Sequence, residues 1–166
     1  MRQQPTILVV VLAVLAALFV IFTSAQLPAV VASHFNFSGN PDAWMKRENY
    51  VAFMVIFILV YPALMTLAFI WLPRKFPALV NIPRRDYWLA PERREESLKY
   101  LANHGCWFSC LLLLTLAGVH YALVVGHRTQ PPALPLPLFF AVLGCLGVGV
   151  IVWTIKLLRR FPKPTV

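Results

Sequence analysis

Acidic side chains are nearly missing from this chain: six Asp and Glu stand against fifteen Lys and Arg in 166 residues. None of the six falls in the four long apolar runs, Thr6–Leu27, Tyr50–Leu72, Leu101–Val125 and Ala133–Ile155, and neither does any Lys or Arg. A transporter that couples its cargo to protons or cations needs ionisable groups at membrane depth, so the lack of intramembrane carboxylates argues against that class. Cysteine is scarce too. Cys106, Cys110 and Cys145 all lie in apolar runs, and an odd number of such thiols makes no disulfide framework. Cys106 and Cys110 are four residues apart, a spacing that sets two ligands on one helix face. Small residues at that spacing also let helices approach closely, and packing is the preferred reading. The sequence holds no P-loop, GxSxG, S-x-x-K, CxxC, HExxH or H-x-x-x-H pattern, so no cofactor is expected and no metal site has a recognisable spacing.

What the chain has is oil. Hydrophobic residues make up 60% of it and charged residues 13%, too little polar surface for a soluble domain of this size. Each apolar run has the ~20 residues that a helix needs to cross a bilayer. The expectation is an all-α integral membrane protein, a single domain over residues 1–166. Its four spans cover about 6–27, 50–72, 101–125 and 133–155, with an ordered outer loop at 28–49 and an inner loop at 73–99. The segment "TSAQ" (Thr23–Gln26) resembles a signal-peptidase site. The apolar stretch before it, Ile7–Phe22, exceeds the ~7–15 residues usual in a leader, and the run is read as a span.

Charge then sets the orientation. The net charge is +9, and its distribution is uneven. Arg2, Arg74, Lys75, Arg84, Arg85, Arg93, Arg94, Lys99, Lys156, Arg159, Arg160 and Lys163 fall on one side of the spans; only Lys46, Arg47 and Arg128 fall on the other. The positive-inside rule puts the larger group, and with it both termini, in the cytoplasm of a bacterial inner membrane. The partner of this basic balance is the lipid bilayer with its anionic headgroups rather than nucleic acid.

Polar residues concentrate in two connecting segments. The outer one, "ASHFNFSGNPDAWMKREN" (residues 32–49), has Gly39, which accepts a positive φ, and Pro41, which fixes its own φ. A tight reversal is expected over Gly39–Asp42, folding Phe35, Phe37 and Trp44 back towards the bilayer. His34, Asn36 and Asp42 would then converge over the helix ends. His120, near the outer end of the third span, joins them as a site candidate, because an imidazole at that depth is costly unless it faces the bundle or water. Two readings stand side by side. One is a pocket for a peptide, lipid headgroup or metal, with His34, Asn36, Asp42, Trp44 and His120 as ligand-binding candidates and Gly39 and Pro41 shaping the loop. The other is a lid in which His34 and Asp42 bond within their own loop, while His120 bonds a carbonyl on a neighbouring helix.

The inner segment, "PRKFPALVNIPRRDYWLAP", has prolines at 73, 77, 83 and 91, so it forms no regular helix. Aromatic and aliphatic residues among its arginines suggest a strap on the headgroups. Asn81, Pro83, Tyr87, Trp88, Glu92 and Arg93 are the strap residues singled out. Pro91 suits the first position of a helix that continues into the third span. In the fourth span, Ala141, Cys145 and Gly149 recur every four residues and predict a close helix contact.

Taken together, "LPAVVASHFNFSGNPDAWMKRE" and "VNIPRRDYWLAPERREESL" resemble two elements of one family. The first is similar to an "LP…H-[FW]-N-x-x-G-x-P-D-x-W" signature, and the second to "N-x-P-x-x-x-YWLAPERR". Both belong to the domain of unknown function that forms the N-terminal module of SdpI-type membrane proteins. The resemblance covers about residues 27–105. It implies a non-enzymatic inner-membrane protein whose outer motif meets an extracytoplasmic ligand, such as the toxic peptides that the family's immunity and signalling members answer. It points to His34, Asn36, Gly39, Pro41, Asp42 and the strap Tyr87–Arg94. The leading expectation is therefore a membrane binding or sensing protein. Its rival is an accessory subunit of a larger membrane complex, docked through the small-residue stripe of the fourth span. A third reading is a metal-binding membrane enzyme using His34, Asp42 and His120.

Overall fold

The computed structural model describes residues 4–162; Arg2 and Lys163, two of the cations counted above, lie outside them. Four helices are long and apolar enough to cross a membrane: α1 (Gln4–Ser24), α2 (Arg47–Lys75), α4 (Pro91–Gly126) and α5 (Leu136–Arg160). The protein is a multi-pass membrane protein. Between α1 and α2 lies an antiparallel hairpin, β1 (Val30–Phe35) and β2 (Pro41–Lys46). Between α2 and α4 runs the strap, with a 3-10 turn at Pro77–Leu79 and the single-turn α3 (Arg85–Trp88). The all-α expectation thus misses two strands, and the reversal sits at Asn36–Asn40 rather than Gly39–Asp42. Pro41 and Asp42 already belong to β2.

Helices α1, α2 and α4 make the core. Lipid tails are as apolar as leucine, so close packing and hydrogen bonds rather than water exclusion hold such helices together. The buried stripe of α2 is Tyr50, Met54, Ile58, Pro62 and Thr66, one residue in every four. It meets Ala16, Ala17 and Val20 of α1 and Cys106, Cys110 and Leu113 of α4. Both cysteines are buried, as the packing reading expected, and the Cys106 Sγ lies 3.8 Å from the Thr6 hydroxyl. Gly105 marks the closest crossing: a Cβ there would sit 2.2 Å from the Cβ of Phe69 on α2. One turn further, Ser109 is fully buried beside Thr66, with the hydroxyls 2.8 Å apart.

Helix α5 is different. It packs mainly on α4, reaching α2 through the ring of Trp153 against Phe69, and none of its residues is buried. The expected stripe divides. Gly149 faces α4, where a Cβ would come 2.7 Å from a Leu111 methyl group, whereas Ala141 and Cys145 lie exposed. Gly144 and Gly147 have nothing within 4 Å of where a Cβ would be. The firmest link is a reciprocal pair: the His104 Nε2–H donates to the Trp153 carbonyl (3.0 Å) and the Trp153 indole N–H to the His104 carbonyl (2.8 Å).

The strap secures the far end of α5. Phe161, fully buried, is clasped by the rings of Trp88 and Tyr100. Trp88 donates its indole N–H to the Pro162 carbonyl (3.3 Å), and its own carbonyl accepts from the Ser97 hydroxyl (2.8 Å). Arg160 pairs with Glu96 and lies 5.5 Å from the Trp88, Tyr100 and Phe161 rings. Arg93 covers the Tyr87 ring at 3.9 Å and donates to the Tyr87 carbonyl. Within "YWLAPERR", then, Tyr87, Trp88 and Arg93 act as a clasp. Asn81 lines an apolar cavity of about 400 Å³ beneath the strap, Pro83 is half-buried, and Glu92 is exposed.

Candidate functional site

The hairpin caps the ends of α1, α2 and α4. Val31 is fully buried in the helical core, and the half-buried Phe35 and Met45 pack against the same cluster. Its turn is built by one side chain: the Asn36 Oδ1 accepts the N–H groups of Ser38 (2.9 Å) and Asn40 (3.0 Å). An asparagine oxygen holding the backbone two residues on is a standard turn device. Asn36, expected among the ligand-binding candidates, commits that oxygen to the loop itself. Gly39 follows at φ +81°, and a Cβ there would lie 3.0 Å from the Leu134 carbonyl oxygen. The Gly39 carbonyl accepts the Leu134 N–H (2.9 Å), which ties the turn to the α4–α5 connection.

A second tie comes from a residue that the sequence left unassigned. His127, just past α4, donates from Nδ1 to the Leu123 carbonyl (2.9 Å) and accepts the Ala32 N–H at Nε2 (2.9 Å). The carbonyl can only accept and the amide can only donate, so the imidazole is the neutral Nδ1–H tautomer. The ring also meets Phe35 edge-on. A third tie is Arg47, which donates to the Leu27 carbonyl (2.7 Å). No sequence signal marked His127, because its partner is a backbone amide 95 residues away.

With the backbone held by these groups, other side chains are left on display. His34 and Asp42 pair across the strands, with 69% and 43% of their side-chain surface exposed. Phe37 is fully exposed at the tip, and Trp44 is 52% exposed. Of the three aromatics expected to fold back, Phe35 turns inward against the helical core.

His120 is elsewhere. It is fully buried between α1, α2 and α4, with its Nε2 2.7 Å from the Thr23 hydroxyl and its Nδ1 2.8 Å from the Tyr50 hydroxyl. Thr23 donates its hydroxyl hydrogen to the Phe19 carbonyl (2.6 Å), so His120 donates from Nε2 to Thr23 and accepts from Tyr50 at Nδ1. The Tyr50 ring stacks on the imidazole and Phe19 meets it edge-on. Every polar atom of this relay is satisfied, by hydroxyls on two neighbouring helices rather than by the carbonyl expected. No hydrogen bond joins His120 to His34 or Asp42. The Ser24 hydroxyl, one residue beyond Thr23, is buried without a hydrogen-bond partner among the described residues. No three His, Cys, Asp or Glu side chains among those residues are grouped so as to hold a metal ion.

Comparison with known proteins places this geometry. The family described as Domain of unknown function (DUF1648) matches residues 11–60, from within α1 through the hairpin into α2. An uncharacterized protein of Archaeoglobus fulgidus is 32% identical over 135 residues, covering 76% of this chain and 70% of the relative. No solved structure matches the chain.

Proposed function

The chain belongs to the same family as the Archaeoglobus fulgidus protein, and from that premise we propose a non-enzymatic binding or sensing protein of the cytoplasmic membrane, its hairpin engaging a ligand on the outer face. The observation that carries this is a division of labour in the hairpin. Asn36, Gly39, His127 and Arg47 hold the backbone, while His34, Phe37, Asp42 and Trp44 are exposed and hold nothing but one another. A fixed backbone that presents two aromatics and an imidazole–carboxylate pair is pre-organised for recognition. The resemblance to SdpI-type proteins supports a secreted toxic peptide as the ligand, met at the outer face of a bacterial inner membrane. The uneven cation distribution supports the orientation, with both termini inside.

Two expected results test this. Single cysteines at Ser38 and Thr129, in a background free of other cysteines, should react with a membrane-impermeant thiol reagent in intact cells. Cysteines at Lys75 and Lys99 should react only after lysis; the opposite pattern would turn the hairpin to the cytoplasm and end the proposal.

The second test separates holding from displaying. His34→Ala and Asp42→Ala each break an exposed pair, so melting in detergent should stay within ~1 kcal/mol of the parent. Gly39→Val forces a β-branched residue to positive φ and against the Leu134 carbonyl, and should melt clearly earlier. A photo-crosslinking residue at Phe37 should capture a peptide or protein, and the capture should weaken at least severalfold in the His34 and Asp42 variants. Crosslinks to lipid alone, or early melting of those two variants, would make the hairpin a structural lid.

One observation favours a second reading, an accessory subunit. Helix α5 has Ala141, Gly144, Cys145 and Gly147 on surfaces that no other helix covers. Small residues of this kind suit close approach by a further helix.

A further inference from the structure

Because α5 packs on the α4 side and not on α1, it leaves a trough between itself and α1, floored by α4. The trough encloses about 640 Å³, within the usual range for small-molecule sites. Its walls change character along their length. At the strap end lie Asn103 and Lys156; Trp107 follows, and beyond it Leu12, Leu114 and Val152 make an apolar channel. The Lys156 ammonium, the Asn103 amide and the Trp107 indole N–H are all donors, and none has a hydrogen-bond partner among the described residues. No carboxylate lines the trough. A surface with unpaired donors and one positive charge at one end calls for an anionic, acceptor-rich group there and a hydrocarbon tail along the rest.

Dimensions point the same way. From Asn103 to Leu114 the floor runs about 17 Å at ~1.5 Å per helical residue. The hydrocarbon depth of one leaflet is about 15 Å, half the thickness of the bilayer core. We propose that the trough between α1 and α5 is a binding site for one anionic phospholipid of the strap-side leaflet, with its phosphate at Lys156 and Asn103 and one acyl chain lying past Trp107 towards Leu114. Arg159, one turn beyond Lys156, adds to the positive field at the phosphate end. A free phosphate ion would satisfy the donors but leave the apolar channel without an occupant.

The test uses the full chain in mild detergent, with native mass spectrometry reading lipids retained from dioleoyl phosphatidylglycerol or dioleoyl phosphatidylcholine. One phosphatidylglycerol should be retained per chain, at least roughly fivefold more tightly than phosphatidylcholine, the difference expected from one lysine at an anionic headgroup. Lys156→Gln, a change at an exposed position, should remove that preference while the melting temperature stays that of the parent. Val152→Trp, which fills the channel, should weaken retention of both lipids, and inorganic phosphate should displace neither. Equal retention of the two lipids, a continuous ladder of adducts with no break after the first, or an undiminished preference in Lys156→Gln would overturn the site. So would displacement by inorganic phosphate, or a folded Val152→Trp variant that binds as the parent does. Should Val152→Trp fail to fold, the lipid comparison and Lys156→Gln decide the matter alone.

Discussion

Gly105→Val is expected to abolish the folded protein in detergent, whereas Gly144→Ala and Gly147→Ala leave it intact. All three glycines lie in apolar helices and look alike in sequence. At Gly105 a Cβ would fall 2.2 Å from the Phe69 Cβ and 2.3 Å from its Cγ, far inside the ~3.5–4.0 Å at which carbons pack. Phe69 cannot swing away freely, because its ring is held between Phe108 and Trp153. Helices α2 and α4 would have to separate, and overpacking of this kind commonly costs ~1–3 kcal/mol and occasionally more. Here the separation would also part Thr66 from Ser109 one turn along and strip the strap cavity of a wall. Gly144 and Gly147 face open space, and Ala in their place should stabilise the helix slightly, by ~0.5–1 kcal/mol each. Monodispersity and thermal melting of the three variants would check this. A Gly105→Val protein melting with the parent would mean that α2 and α4 do not cross there.

His120→Ala should be the most damaging change among the polar residues. It deletes a fully buried ring, opens a cavity beneath Tyr50 and Phe19, and leaves the Tyr50 hydroxyl without an acceptor. Cavity formation and a stranded buried donor together should cost ~2–4 kcal/mol. Tyr50→Phe removes one interhelical hydrogen bond and keeps the ring stacked, so its cost should be ~0.6–1.7 kcal/mol, the range of such bonds within membranes. The double variant should be less damaging than the two costs combined, because the relay is lost only once. Strict additivity, or a His120→Ala protein that melts with the parent, would show that the imidazole is no strut. In the latter case a ligand contact becomes the better account of its place in the bundle.

The four helices were legible because apolar runs of bilayer length free of charge leave little choice, and observed ends differ from expected ones mainly where polar residues extend the helices. Arg47–Asn49 and Arg74–Lys75 join α2 and Lys156–Arg160 join α5, whereas the start of α4 at Pro91 is the one its proline announced. The hairpin was not legible as a hairpin. Its strands carry His, Asp, Trp and Lys with no clean alternation, and the pairing is irregular around His34. Pro41 drew attention to the wrong residues as the turn, since proline also opens a strand well. Of the site candidates, the His34–Asp42 pair could be anticipated as a contact within the loop, because both lie on one short segment. The Tyr50–His120–Thr23 relay could not be assembled, because its members come from three helices and nothing in their spacing connects them. The stripe at 141, 145 and 149 showed the limit of counting by four: the period identifies a face, not what covers it.

The latch between Ala32 and His127 has a consequence in time. The two residues are 95 positions apart, and at a synthesis rate of ~5–20 residues per second the amide exists for roughly 5–20 s before its imidazole does. As that interval passes, the rest of the hairpin and α2 join α1 without the turn that will dock them, and water or headgroups must solvate the waiting N–H. The hairpin is thus made early and fixed late. A change at His127 acts on this docking step, which precedes the Leu134 tie and the packing of α5, and a nascent chain halted within α4 would carry the whole hairpin in an unlatched form.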